Sequence, residues 1–377
     1  RDDYYIVTFD LPGFGKSAKS NQLYSISKYT KAINNIVNMY INKPFHLVGH
    51  SMGGAISLKY ASSYQDRLKS LVLIDVAGVL TKTSYTKFLA NSKIKDFFGI
   101  DIIGLRFRDM LSSIPEKIES IIPIDINSLL GFSKVREVVF RSNPTTVSAI
   151  SLVHEDFSNI PQSIDINTRI IWGEDDDVAP LRTGYVLNKL IKNSKLDIIK
   201  GSKHLPIVDS FEIYIKYLKA HLNNPKYNTV VKKDFNISKK IILRNINNRV
   251  ISGEIVNLEL INCKNILIKD ATIDKFTIVK TKVTIENTDI NIIDSSYLIN
   301  SYLEITASNI NAKKGIDIYN SKLDFAGVYL SSNSYFFKNL NSILSQKIIF
   351  SLSRINNKTI HGDFKLKRDS TTLVKQQ

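Results

Sequence analysis

The sequence is poor in sulfur. Cys263 is the only cysteine among 377 residues. No internal disulfide is therefore possible, and no zinc cluster can be built from thiolates. No apolar run reaches the length a membrane-spanning helix needs. No signal peptide precedes the first strand-like run. The chain opens at Arg1 rather than Met. The expectation is that the natural N-terminus, with any leader, lies upstream. Motifs for reading DNA or RNA are also lacking.

What is present fits a folded globular chain. Hydrophobic residues make up 43% and charged residues 23%. A chain of 377 residues exceeds one ordinary core, so two domains are expected. The formal net charge is +16. Residues 226–377 carry 23 Lys+Arg against 13 Asp+Glu, and residues 1–225 carry 28 against 22. The second part is the more basic. Its lysines are scattered singly, which reads as a solvated Lys- and Asn-rich surface more than as a nucleic-acid face.

The patterning changes along the chain. "YYIVTFD" (Tyr4–Asp10) is a β-rich run that breaks at "LPGFGKS". Ile26, Tyr29, Ile33, Ile36, Val37 and Tyr40 recur at helical spacing. "FHLVG" reads as a buried strand, "HSMGGAISLKYASSY" as a helix and "LKSLVLIDVAG" as a further strand. Such alternation predicts a parallel sheet in an α/β fold. Residues 81–160 read as short helices broken by Pro115, Pro123 and Pro144, a cap inserted into the α/β unit. The alternation resumes with "TRIIWGEDD", "APLRTGYVLNKLIKN", "KLDIIKGSKHLP" and "SFEIYIKYLKAHL". Past "NNPKYN" the chain becomes short β-branched runs parted by single polar turns. That predicts an all-β domain over residues 226–377, wound as a parallel β-helix and ending in a polar tail. A twisted sandwich is the alternative.

Gly49-His50-Ser51-Met52-Gly53 fits G-x-S-x-G, with a strand before it and a helix after. A nucleophile must project from a tight turn at a strand end, so its flanks must be small. A serine hydroxyl needs a base to take its proton, and the base needs a carboxylate to orient it. Asp176 follows the strand "RIIWG", and His204 follows the next strand. Both occupy loops at strand ends, where open α/β sheets build their sites. Asp175, Asp177 and Asp75 compete for the role of the acid. His50 is adjacent to Ser51 but should point away from its hydroxyl. His46, His154, His221 and His361 read as structural or surface residues.

These pieces resemble the α/β-hydrolase superfamily, serine esterase/lipase type. The resemblance rests on "FDLPGFGKS", "HLVGHSMGGA", "LVLIDVAG", "IIWGEDDDVAP" and "GSKHLPIVDSFE" and covers residues 4–222. It implies Ser51 as nucleophile, Asp176 as acid, His204 as base and the backbone N–H of Met52 as one oxyanion donor. W-G-x-x-D-x-x-x-P favours Asp176, with Pro180 closing the pattern. A serine at position 51 argues against dehalogenases and epoxide hydrolases, which need an aspartate there. The resemblance also implies a sheet lacking its first strands, so that "YYIVTFD" and "FHLVG" lose the strand between them. The motif that supplies a second oxyanion donor is not found before Asp10. The expectation is an N-terminally truncated piece, active only at full length. Loss of one oxyanion donor typically costs about 10²–10³ in rate.

The resulting expectation is an esterase that uses no metal or organic cofactor. Its substrate would be a small-molecule or lipid ester, because "FFGIDIIGLRF" and "LLGF" make the cap apolar. Thioesterase, acyltransferase and C–C hydrolase activities share the same machinery. A third reading is an envelope or polysaccharide-binding protein with an inactive hydrolase unit. Contact with polysaccharide or a membrane surface would use the C-terminal domain, which leans localisation toward the cell envelope. Asp270, Asp274, Asp289 and Asp294 read as turn residues there, not as a sugar-cleaving site.

Overall fold

The structure, a computed structural model, describes residues 4–81, 83–84, 132–140, 143–225 and 238–376. Four parallel strands form the first sheet, in the order β1 (Phe45–His50), β2 (Leu68–Ile74), β3 (Thr168–Gly173), β4 (Ser194–Ile199). Every side chain of β3 is buried, as is all of β2 except Lys69. A parallel sheet covered by helices on both faces requires such continuous apolar runs.

Helix α1 (Ile26–Tyr40) buries Ile26, Tyr29, Ile33 and Val37, one stripe at helical spacing. Ser25 caps it by accepting from the Lys28 N–H at 3.3 Å. Helix α2 (Met52–Tyr64) joins β1 to β2 and buries Ala55, Ile56, Leu58 and Ala61. Between β2 and β3 come α3 (Ser133–Phe140) and α4 (Pro144–Val153). Of the predicted cap at 81–160, only 81, 83–84, 132–140 and 143–160 are described, so its apolar segments lie outside the described residues up to 131. Helix α5 (Leu181–Leu190) joins β3 to β4, and α6 (Pro206–Asp209) and α7 (Phe211–Asn223) follow.

Two expectations need correction. Tyr4–Asp10 is not a strand: its backbone enters no ladder, and Tyr5 is 87% exposed. A β-rich sequence makes a strand only when a neighbour supplies hydrogen bonds, and no described strand lies beside it. For the same reason β1 is an edge strand rather than a buried one, with Val48 42% exposed.

Residues 238–376 form the second sheet system. Three consecutive coils each hold three short strands. They are β8 (Phe276–Val279), β9 (Lys282–Glu286) and β10 (Asp289–Ile292); then β11 (Ser296–Ile299), β12 (Tyr302–Thr306) and β13 (Asn309–Ala312); then β14 (Ile316–Tyr319), β15 (Lys322–Ala326) and β16 (Tyr329–Ser332). Each strand pairs in parallel with the corresponding strand of the next coil, as in Leu303 opposite Leu323. The chain thus winds as a solenoid, and the sandwich alternative is set aside. Ile278, Leu298 and Ile318 stack inside it, as do Ile285, Ile305 and Phe325. Three preceding strands, β5 (Ser238–Arg244), β6 (Asn247–Ile261) and β7 (Lys264–Ile273), pair at a shorter spacing, as in Ile266 opposite Val283 on β9. At the far end β17 (Phe337–Asn339) pairs with β14, β18 (Gln346–Ile355) pairs with β15 across a longer insertion, and antiparallel β19 (Lys358–Leu366) lies beside β18.

The corners explain the composition. Asn262, Lys280, Asn300 and Asn320 occupy one corner at positive φ, and Asn287, Ala307 and Gly327 another. Asn tolerates the left-handed region better than other side chains that carry a Cβ. Its amide also bonds up the column, as from Asn320 to Asn300 at 2.8 Å. The next residue inward is hydroxylic. Thr281 N–H donates to Ser301 Oγ at 3.1 Å, and Ser301 N–H to Ser321 Oγ at 2.9 Å. Cys263 occupies the equivalent place one coil earlier, where its N–H donates to Thr281 Oγ1 at 3.0 Å. Buried backbone donors at the bends are thereby satisfied. Ser301→Ala leaves the Thr281 N–H without its acceptor. We expect a loss of about 1–3 kcal/mol in urea denaturation, and an unchanged midpoint would refute the column's role.

Candidate active site

Ser51 stands between β1 and α2 with φ +53° and ψ −121°. A non-glycine residue there is strained and must be held by its surroundings. Its N–H donates to Ile74 O of β2 at 2.9 Å, and its own carbonyl accepts from Ala55 N–H at 3.2 Å. A Cβ at Gly49 would collide with Ser57 Oγ and the Gly53 carbonyl. At Gly53, however, a Cβ would meet nothing within 4 Å. The crowded position on the helical side is instead Gly54, whose Cβ would lie 2.8 Å from Val76.

His204 lies in the loop after β4, and its Nε2 is 2.9 Å from Ser51 Oγ. Its Nδ1 is 2.9 Å from Asp176 Oδ2. A carboxylate only accepts, so Nδ1 carries the proton and Nε2 of the neutral ring is left to accept the serine hydroxyl. Asp176 is buried. Its second oxygen, Oδ1, accepts from the N–H groups of Val178 at 2.8 Å and Ala179 at 2.9 Å. The Ala179 carbonyl in turn accepts from Trp172 Nε1–H at 3.0 Å, which ties the loop to β3. Gly173 lets the two loops approach, because a Cβ there would collide with the carbonyls of Ser202 and Lys203. Met52 is the first residue of α2, where backbone N–H groups lack helical partners and the helix dipole is positive.

The rivals for the acid separate on geometry. Asp175 is exposed, and Asp177 is half-buried without a bond to His204. Asp75 is buried at the end of β2 with φ +42°, and its Oδ1 accepts from Gly173 N–H at 2.8 Å. Burial and the neighbouring Asp176 charge push its carboxyl up to about 9. His50 does point away from the serine. Its Nε2 meets the His204 carbonyl at 2.6 Å, so that nitrogen must be the donor. Burial and the nearby His204 lower its pKa, which keeps it neutral. The sequence gives no sign of this His50 hydrogen bond, which fixes the loop that carries His204. Asp289 also differs from expectation, beginning strand β10 rather than a turn.

Among the described residues, one further grouping is a candidate for a metal. His50, Asp75 and His204 bring ligand atoms within 4.8 Å of one another. Yet both His204 nitrogens are engaged with Ser51 and Asp176, and His50 Nε2 carries a proton. A metal needs deprotonated ligands with free lone pairs, so this donor set fits a proton relay better.

Comparison with known proteins places the fold. Residues 1–94 match the family model of the alpha/beta hydrolase fold. The chain is 27% identical over 211 residues to the uncharacterized hydrolase YugF of Bacillus subtilis, covering 54% of this chain and 75% of that protein. It is 25% identical over 223 residues to Lipase 3 of a Moraxella species, covering 55% and 66%. It is 29% identical over 219 residues to monoacylglycerol lipase abhd6-B of Xenopus laevis, covering 54% and 63%. The N-terminal region has the α/β-hydrolase fold and is similar in sequence to hydrolases that include esterases and lipases. All three matches span about half of this chain and roughly two thirds to three quarters of the relative.

In this chain, Asp75 gives a testable pH dependence. An unfolded aspartate has a pKa of about 3.9. The folded state therefore holds a proton that the unfolded chain releases, and stability falls as pH rises from about 4 to about 9. Asp75→Asn keeps an acceptor for Gly173 N–H and removes the titration. We expect the variant to lose less stability than the parent between about pH 5 and pH 9 in chemical denaturation. Parallel curves would contradict this account of Asp75.

Proposed function

We propose that this chain hydrolyses carboxylic esters through an acyl-enzyme on Ser51. The reading is carried by the continuous relay Ser51 Oγ–His204–Asp176, in which both links are 2.9 Å long. Ser51 Oγ attacks the ester carbonyl while His204 Nε2 takes its proton. The oxyanion that forms lies at the N-terminus of α2, where Met52 N–H serves as donor. His204 then returns the proton to the departing alkoxide. Asp176 holds Nδ1–H throughout, which fixes the tautomer and stabilises the imidazolium. Water, deprotonated by the same histidine, attacks the acyl-enzyme and releases the acid. Each of these steps is carried by groups of the chain itself.

In this proposal residues 1–225 form the catalytic unit, with the cap insertion at about 81–160, and residues 226–377 form the appended solenoid. A fatty acyl ester is the favoured substrate, since two of the relatives bear the names lipase and monoacylglycerol lipase. Thioesters and C–C substrates are tested in the same panel.

The test compares p-nitrophenyl ester hydrolysis by the parent chain and three variants. Ser51→Ala and His204→Ala should each lower kcat by about 10⁴-fold or more, and Asp176→Asn by about 10⁴-fold. KM should change little, because these groups act on the transition state. A Ser51→Ala variant as active as the parent would sink the proposal.

A further inference from the structure

The solenoid and the hydrolase unit meet along helix α5, which follows directly from the loop that holds Asp176. Arg182 is the second residue of that helix. Its guanidinium leaves the hydrolase unit and enters the solenoid. Nε donates to Thr306 Oγ1 at 2.6 Å, and Nη2 donates to the carbonyls of Asp324 at 3.0 Å and Ile305 at 3.3 Å. Nη1 pairs with Asp324 Oδ1 at 3.0 Å and Glu304 Oε2 at 3.4 Å. The Arg182 side chain is 11% exposed and that of Asp324 only 2%. Glu304 and Asp324 stand directly opposite each other on β12 and β15. Two like charges so placed repel, and Arg182 supplies the countercharge.

Two more residues on the same helical face continue the contact. Val186 packs over Gly327, where an added Cβ would lie 3.2 Å from its side chain. Lys189 Nζ donates to Asn309 Oδ1 at 2.8 Å. The hydrolase core also takes in Ala326 and Leu352 from the solenoid. Ser84 Oγ, from the chain after β2, also donates to Asp324 Oδ1 at 3.1 Å.

A buried ion pair adds little net stability, because desolvation offsets the attraction. Its best-attested use is to fix a register. Here the register is that of the first turn of α5. That turn begins at Leu181, two residues after Ala179, whose N–H holds Asp176 Oδ1. We propose that the solenoid is a platform that orients the acid loop, and that Arg182 is a positioning residue acting through Asp176. The inference rests on the proposed ester hydrolysis for its kinetic consequence. The C-terminal domain is thereby part of the active-site scaffold and not only a separate binding module.

The test uses the full chain with Arg182→Met, Arg182→Lys, Asp324→Asn and Lys189→Met. Misplacing a catalytic group by about 1 Å costs about 10²-fold. We expect Arg182→Met to lower kcat by about 10- to 100-fold with KM within about two-fold, and Arg182→Lys to recover part of the loss. Lys189→Met sits at the far end of the same helix. It should lower the thermal midpoint while leaving kcat within about two-fold of the parent. Should Arg182→Met not fold, Asp324→Asn carries the same expectation with milder effect, since Glu304 still faces the arginine. Equal kcat for folded Arg182→Met or Asp324→Asn and the parent would overturn the platform. A second readout does not depend on substrate: the downfield NMR signal of the His204 Nδ1 proton should shift or broaden in Arg182→Met and persist in Lys189→Met. An inactive parent with that signal difference intact refutes ester hydrolysis but not the platform. A signal unmoved by Arg182→Met refutes the platform whatever the substrate.

Discussion

The hydrogen bond between His204 Nε2 and Ser51 Oγ joins residues 153 positions apart in the chain. It can form only if β1 and β4 end on the same side of one sheet. Parallel pairing across β2 and β3 provides that alignment. The strain at Ser51 is supported by the same neighbours, since its N–H is anchored on the end of β2. Asp75 secures the end of β3 through Gly173 N–H, and His50 secures the His204 loop through its carbonyl. The groups that touch the relay are thus few, and a ring of buried hydrogen bonds around them sets their geometry. In the proposed function, such preorganisation would let a weak nucleophile react without rearranging its surroundings.

The solenoid follows a different logic. Its core is a stack of aliphatic side chains from successive coils, and its bends are made by residues that accept positive φ. Buried hydroxyls at those bends accept the backbone donors that turning would otherwise strand. A rigid wall of this kind offers fixed acceptors to a neighbouring helix. Arg182 meets five of them on adjacent coils. A flexible appendage could not hold a helix N-terminus in register, but a stack of parallel coils can.

The site was more legible in the sequence than the sheet around it. Ser51, Asp176 and His204 each stand in a loop after a strong β-run, so local pattern singles them out, and the structure brings the three side chains together. The choice of Asp176 over Asp75 was less local. Both follow strands, and only the three-dimensional partners, Gly173 N–H for one and His204 Nδ1 for the other, separate them. The run Tyr4–Asp10 misled because β-propensity describes a side chain's fit to a sheet, not the presence of a neighbour. The motif asks for small residues on both flanks of the nucleophile, and the tight contacts fall on Gly49 and, one residue past the motif, on Gly54 rather than Gly53. In the solenoid the inward aliphatic residues were visible. The coil length was hidden because it changes at both ends of the regular stretch. Arg182 carries no signal at all, since its partners lie more than a hundred residues away in the solenoid.

The central claim is that Ser51 is a nucleophile activated by His204. Its most direct test is to treat the chain with a fluorophosphonate, digest it and locate the phosphonyl adduct by mass spectrometry. The account predicts one adduct, on Ser51, and its loss when His204 is replaced by alanine. An unmodified Ser51 peptide, or an adduct that persists without His204, would contradict it.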